Sequence, residues 1–239
     1  ATTWVDAELV RAAARAYSRA KPAALQWGNA IEQNHRCFDA TRALVCLMAI
    51  CGNLDVAGGN IQPLDPRFIR LGELVRAERL PSKQKEMLHA YHGAIPRLMS
   101  VPPAYFRKAI LEGFPYPVKA AYLQGTNPLI TYADSPLTYR ALQALDFLVV
   151  ADIFMTPTAL LADLVLPAAT TFEFNDIGHC GLGHGFILAR PKVVNPPEEC
   201  WPDIKILNEL GKRVCSPDDW FENHEELLDE ILRPGGLTW

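Results

Sequence analysis

The sequence predicts an α/β fold, a mostly parallel sheet flanked by helices. Three observations carry that reading. Short apolar runs of strand length stand at residues 120–124 (AAYLQ), 147–153 (FLVVADI) and 164–167 (LVLP). A stretch with helical spacing, residues 135–145, joins the first two, and a strand, a crossover helix and a second strand of one sheet make a right-handed βαβ unit. Two amphipathic helical patterns, residues 202–214 and 222–232, then close the chain.

Taken in order, Asp6 is placed to cap a first helix, with Leu9, Ala13, Ala16, Tyr17 and Ala20 on one side and Arg11, Arg15 and Arg19 on the other. Lys21-Pro22 ends it. The run at 23–28 (AALQWG) is short, apolar and closed by glycine, as a buried strand would be. A second helix follows the polar loop 29–36, with Ala40, Ala43, Leu44, Leu47 and Cys51 on one face, and Gly52 opens the turn 52–60. Residues 61–118 are proline-rich and read as a helical insertion, with helices over 82–99 and from Pro102-Pro103 to Gly113. Residues 157–162 predict a single helical stretch before the third strand. The expected organisation is therefore a helix-strand-helix opening (1–60), the insertion (61–118) and a βαβ part with C-terminal helices (119–239), together one domain.

Composition narrows the function. Of 239 residues, 49% are hydrophobic and 21% charged, enough for a core and too apolar for a disordered tail. Asp and Glu total 27 against 23 Lys and Arg, a net charge of −4, which argues against a nucleic-acid surface. No apolar run approaches the roughly 20 residues of a membrane-spanning helix. The first residues hold no export signal, and the compartment, cytoplasm or periplasm, stays open. Both ends are abrupt and read as cuts in something longer. The six cysteines include no Cys-x-x-Cys pair, so neither a zinc knuckle nor an iron-sulfur cradle is expected. Cys46 and Cys51, inside an apolar helical pattern, are expected to be buried and reduced.

Ligands of open parallel sheets sit beyond the carboxyl ends of the strands. The first such end, residues 122–128 (YLQGTNP), offers Gly125 for close backbone approach and Thr126 and Asn127 as short polar groups; on this motif alone the capped turn is the favoured reading over binding. At the second, Asp152 ends a strand, and Thr156 and Thr158 follow near the start of a helical stretch. A carboxylate there can accept paired hydrogen bonds from the N1–H and amine of guanine, or from ribose hydroxyls, and hydroxyls at a helix start suit a phosphate. The alternative is that Asp152 and Thr156 only cap the next helix. Neither loop is a GxGxxG or Walker sequence.

Together these residues resemble a family. The string LDFLVVADIFMTPTALLADLVLPAATTFE (145–173) is similar to the signature of the molybdopterin oxidoreductases of the dimethyl sulfoxide reductase class, which includes formate dehydrogenases and periplasmic nitrate reductases. YLQGTNPLITYADS (122–135), WGNAIEQN (27–34), GNLDVAGGN (52–60) and CWPDIKILNELGKRV (200–214) fall in the family's order. Residues 61–118 match least.

The resemblance implies a cofactor, molybdopterin guanine dinucleotide carrying molybdenum or tungsten. By motif position it implies Gly28 and Gln33 near the pterin and Gly125 and Asn127 at the dinucleotide. It also implies Ala151 and Asp152 as a strand-end pair with Asp152 on guanine, Thr156 and Thr158 beside the nucleotide, and Asp203 as a cofactor contact at a helix start. Phe174 stands where some members carry a cofactor-binding Lys. The family's iron-sulfur cysteine cluster and its metal-ligand residue have no counterpart in these 239 residues. The iron-sulfur cluster is thus expected only in an N-terminal part outside them, and no catalytic residue and no metal ligand is assigned. The implied partners are further domains of the same subunit and an electron-transfer subunit, with self-association of the bare chain also expected. The loop 176–185 (DIGHCGLGHG), with Asp176, His179, Cys180 and His184, offers zinc or acid-base donors, but a flexible connection is the favoured reading; Glu173 reads as its anchor. The resulting reading is a cofactor-binding segment of a molybdopterin-dependent oxidoreductase. A non-catalytic structural relative and a generic nucleotide-binding module are the alternatives.

Overall fold

The computed structural model describes residues 4–32, 36–61, 101–178, 185–197 and 199–239. The chain divides into two compact units, Ala1–Leu64 and Asp65–Trp239.

In the first unit, helix α1 (Ala7–Arg19) starts where Asp6 accepts a hydrogen bond from the Glu8 N–H at 2.7 Å. A four-residue helix α2 (Asn29–Glu32) and helix α3 (Cys37–Ile50) follow. The expected strand at 23–28 is an irregular segment. Its backbone is satisfied by side chains: the Asn60 amide pairs with both the N–H and the C=O of Leu25 at 2.7 Å, and Asn53 Oδ1 accepts from the Ala23 N–H at 3.3 Å. An apolar run is a strand only if another strand lies beside it, and among the described residues none does. Cys51 is buried as expected, and Met48 is buried beside the expected face, but Cys46 is exposed, on the same outward side of α3 as Ile50. The helical spacing located a face without revealing that only part of it is covered.

The second unit holds the sheet. Helix α4 (Pro103–Glu112) has proline in its first turn and ends at Gly113, whose φ of +66° is the left-handed conformation that suits glycine. Strand β1 (Ala120–Gln124), helix α5 (Pro128–Thr131), helix α6 (Ser135–Gln143) and strand β2 (Phe147–Asp152) form the predicted βαβ unit. A 3-10 turn (Ala159–Leu161) precedes strand β3 (Leu164–Pro167). All three strands are parallel in the order β1-β2-β3, with Tyr122 opposite Val149 and Ala151 opposite Leu166.

One face of the sheet is sealed by a cluster of Leu142, Leu148, Val150 and Ala159, joined by Ala121, Leu123 and Val165. Burying Leu148 and Val150 contributes about 1.5–3 kcal/mol each. Helix α6 presents Thr138, Ala141 and Leu142 to this core and is capped by Asp134, which accepts from the Leu137 N–H at 3.1 Å. Arg107 of α4 donates to Thr138 Oγ1 (2.9 Å) and ties the two helices. Asp163 accepts from the Leu148 N–H at 2.7 Å, which pins the start of β3 beside β2.

The loop 176–185 does not begin as a free connection. Strand β4 (Asp176–Gly178) pairs antiparallel with β5 (Leu188–Arg190), and the Asp176 carboxylate meets the Arg190 guanidinium. The helix expected at 82–99 and the residues His179, Cys180 and His184 lie outside the described residues. Glu173 does anchor its turn, with Oε2 accepting from the Thr170 N–H at 2.7 Å. Helix α7 (Asp203–Val214) and helix α8 (His224–Leu232) complete the unit, with Leu228 and Leu232 packed on Ile177.

Candidate functional site

The carboxyl ends of the three strands converge on one cavity of about 450 Å³. Gly125, Thr126 and Asn127 line it from the β1 end, Ala151, Asp152, Ile153 and Phe154 from the β2 end, Ala168 from the β3 end, and Asp203 from the start of α7. The route by which Asp203 arrives there is physical. Residues 167–169 and Trp201 pair like a short extra strand: the Trp201 N–H donates to Pro167 O (3.1 Å) and the Ala169 N–H to Trp201 O (2.9 Å). That bridge delivers the first residue of α7 to the strand ends.

Gly125 has a φ of +56°, and a Cβ there would meet nothing within 4 Å. Glycine is thus needed for the backbone turn, and the space above it is open to a ligand. Asp152 Oδ1 accepts from the Phe154 N–H at 3.1 Å, turning the chain so that Phe154 reaches the cavity wall. Burial, and after it the charge of Asp152, push the Asp203 carboxyl above its usual range. Asp203 Oδ1 is buried without a protein hydrogen bond. A buried carboxylate oxygen without a donor is an unusual feature in a folded protein and suits a site built for a donor-bearing ligand.

The residues expected from sequence divide into groups. Gly125, Asn127, Ala151, Asp152 and Asp203 share the cavity lining. Thr156 and Thr158 are used inside the protein. Thr156 Oγ1 accepts from the Ala159 N–H at 3.1 Å. Thr158 is fully buried; its hydroxyl donates to Asn127 Oδ1 at 2.6 Å and accepts from the Leu129 N–H at 3.2 Å, which orients Asn127. Gly28 is exposed in the first unit, with open space where a Cβ would be. Gln33 lies outside the described residues. Sequence reasoning missed Thr131, Ile153, Phe154 and Ala168 in the lining; the first ends the short helix α5 and the others sit among apolar neighbours without a distinguishing pattern.

A larger cavity, about 720 Å³, lies on the other sheet face beneath α7, against Tyr122, Val149, Leu166, Trp201 and Ile206. Its walls are mainly apolar, and two of its ionic groups, Glu209 and Arg213, pair with each other at 2.7 Å. The smaller cavity is the one with convergent polar groups, which makes it the candidate binding site.

The sequence profile of the molybdopterin oxidoreductases matches residues 5–213. The chain belongs to that family. Formate dehydrogenase H of Escherichia coli (strain K12) is 30% identical over 241 residues, 96% of this chain and 33% of that protein. The F420-dependent formate dehydrogenase subunit alpha of Methanocaldococcus jannaschii is 31% identical over 235 residues, 96% of this chain and 35% of that one. Among solved structures, acetylene hydratase from Pelobacter acetylenicus superposes with a TM-score of 0.81 at 26% identity, over 98% of this chain and 36% of its own. This chain spans about a third of the length of these relatives. Their names cover a dehydrogenase and a hydratase.

The family's cofactor is a molybdopterin bearing molybdenum or tungsten, and the cavity can be tested against it. Both ionisable groups in its lining, Asp152 and Asp203, are acids; among the described residues no Lys or Arg lines it. A pyrophosphate would be repelled there, whereas a base or sugar rich in N–H and O–H donors fits. The residues therefore fit the nucleoside end of a dinucleotide.

Proposed function

We propose that this chain is the cofactor-holding part of a molybdenum- or tungsten-dependent oxidoreductase, and that its strand-end cavity takes the guanosine of molybdopterin guanine dinucleotide. The observation that carries this is the convergence of Asp152 and the partnerless Asp203 oxygen in one cavity beyond three parallel strand ends. When bound, the cofactor supplies the metal centre for a two-electron or oxygen-atom transfer.

The chain's own residues bind and orient. Asp152 accepts the paired N1–H and amine hydrogens of guanine, and discriminates against adenine, whose N1 is an acceptor. Asp203 accepts from a second donor of the same nucleoside. Gly125 lets the ligand approach the backbone, and Asn127, held by Thr158, offers its amide at a defined angle. Ala151 forms a flat wall, being fully buried with only a methyl group for a side chain. Gly28 and Gln33 are assigned to the pterin side, and Thr156 and Thr158 act through the loop that they cap. Further domains of the same subunit and an electron-transfer subunit complete the enzyme.

Elemental analysis for molybdenum, tungsten and iron, with released pterin and guanine nucleotide, tests the proposal on the longest natural form of the protein. Metal and pterin in stoichiometric amounts are expected. Protein free of both, from cells able to make the cofactor, would favour a structural role. Asp152→Ala should release most of the guanine nucleotide; unchanged retention would refute the guanine assignment.

A further inference from the structure

We propose that Phe154 is the stacking platform of the strand-end cavity: its ring lies against one face of the base whose edge Asp152 reads. This rests on the reading of the cavity as a nucleoside site. Among the described residues Phe154 is the one aromatic in the lining. It is 71% exposed and takes no part in the cluster that seals the sheet. Single exposed apolar residues are ordinary; what sets this one apart is a backbone held on both sides. The Phe154 N–H donates to Asp152 Oδ1 at 3.1 Å, and the Phe154 carbonyl accepts from the Thr156 N–H at 2.9 Å. Thr156 is itself fixed, its hydroxyl accepting from the Ala159 N–H and its carbonyl from the Leu160 N–H. A tied turn thus presents an aromatic side chain at the cavity, two residues from the carboxylate, instead of folding it into the core.

A base that turns its N–H donors to a carboxylate still has two flat faces to take out of water. A carboxylate has about four lone-pair sites, so the bond from the Phe154 N–H leaves Asp152 room for both guanine donors. That same bond fixes the backbone of the ring relative to the carboxylate, which couples recognition of the edge to recognition of the face. The rest of the lining offers no comparable surface: Ile153 is aliphatic, Ala151 and Ala168 present only buried methyl groups, and the others are Gly, Thr, Asn and Asp. Every base has a π face, so stacking on Phe154 supplies affinity and the Asp152 carboxylate supplies the choice of guanine.

The test titrates the full chain with guanosine diphosphate and with adenosine diphosphate, reading affinity by calorimetry and the purine H8 resonance by proton NMR. An aromatic ring lying over a purine shifts H8 upfield. Phe154→Ala should weaken both nucleotides about tenfold and leave the ratio between them unchanged. Phe154→Leu keeps apolar bulk and the backbone turn but has no ring, so the upfield shift should vanish; Phe154→Trp should restore both the shift and the affinity. Asp152→Asn keeps an acceptor for the Phe154 N–H and should do the opposite, lowering the preference for guanine while the bound purine stays shifted. Guanosine diphosphate held as tightly by Phe154→Ala as by the parent, or an H8 shift that survives Phe154→Leu, overturns the stacking and leaves the nucleoside reading standing. A parent chain that binds neither nucleotide overturns the nucleoside reading, and the stacking with it.

Discussion

Gly211→Ala in α7 sets two effects of known size against each other. Alanine favours a helix interior over glycine by about 1 kcal/mol, so on propensity alone the variant is more stable. The structure reverses that sign. A Cβ at Gly211 would stand 2.1 Å from Trp220 Cε2, 2.2 Å from Cζ2 and 2.4 Å from Cδ2. Carbon atoms rest at about 3.5–4.0 Å, so the indole would have to retreat by roughly 1.5 Å. It is held by its chain neighbour: the buried Asn208 amide accepts from the Phe221 N–H at 3.0 Å and donates to the Phe221 carbonyl. Overpacking of this kind costs about 1–3 kcal/mol, and the backing places this site near the upper end. The net expectation is a loss of about 2 kcal/mol, a fall in Tm of about 4–8 °C for a chain of this size. Urea titration and calorimetry read it directly. In a Trp220→Ala background the clash is gone and the same substitution should stabilise by up to about 1 kcal/mol, a change of sign. A Gly211→Ala variant as stable as the parent would refute the reasoning. Function is coupled to the outcome, because Gly211 lies two turns along the helix that carries Asp203.

Three further outcomes are expected. Thr158→Val removes the oxygen that serves both Asn127 and Leu129, and leaves two polar groups in the interior unpaired; chemical denaturation should show a loss of about 2–3 kcal/mol. Gly125→Ala meets no atom but forces a φ of +56° on a residue with a Cβ, so stability should fall by about 1 kcal/mol, with Gly125→Asn milder in the same assay. The Asp203 carboxyl is raised above its ordinary 3.8 in the folded chain, so the fold binds its proton more tightly than the unfolded chain does. Its contribution is full below pH 3.8 and is lost as pH rises through the folded value. Asp203→Asn should therefore have a higher Tm than the parent at pH 7, with the gap closing toward pH 4; an equal gap at both pH values would contradict the shift.

Much of the second unit was legible because its signals are local. Strands β1 and β3 have their predicted bounds, and β2 ends at Asp152, one residue earlier than the apolar run. The three strands are short, largely apolar runs, and the helix between the first two opens with an Asp cap and a Pro in its first turn, features that need no distant partner. The run at 23–28 has the same appearance and is not a strand, since its hydrogen bonds go to Asn53 and Asn60. The β4–β5 hairpin escaped for the opposite reason. Leu188, Ala189 and Arg190 are all exposed, so no alternation marks them, and the pairing with Asp176–Gly178 is fixed by tertiary contacts.

The site divides along the same line. From the sequence alone came the order of strands, the glycine turn after β1, the carboxylate ending β2 and, through five ordered segments, the family. Spacing left Thr156 between ligand and cap and offered Thr158 to the ligand; in the fold Thr156 accepts from the Ala159 N–H, and the buried Thr158 hydroxyl turns inward to Asn127. Only the tertiary structure brought Asp203 to Asp152. That meeting depends on the Ala168–Trp201 bridge and on α7 lying over the sheet, and the approach of two like charges in a partly buried cavity is written in no local pattern.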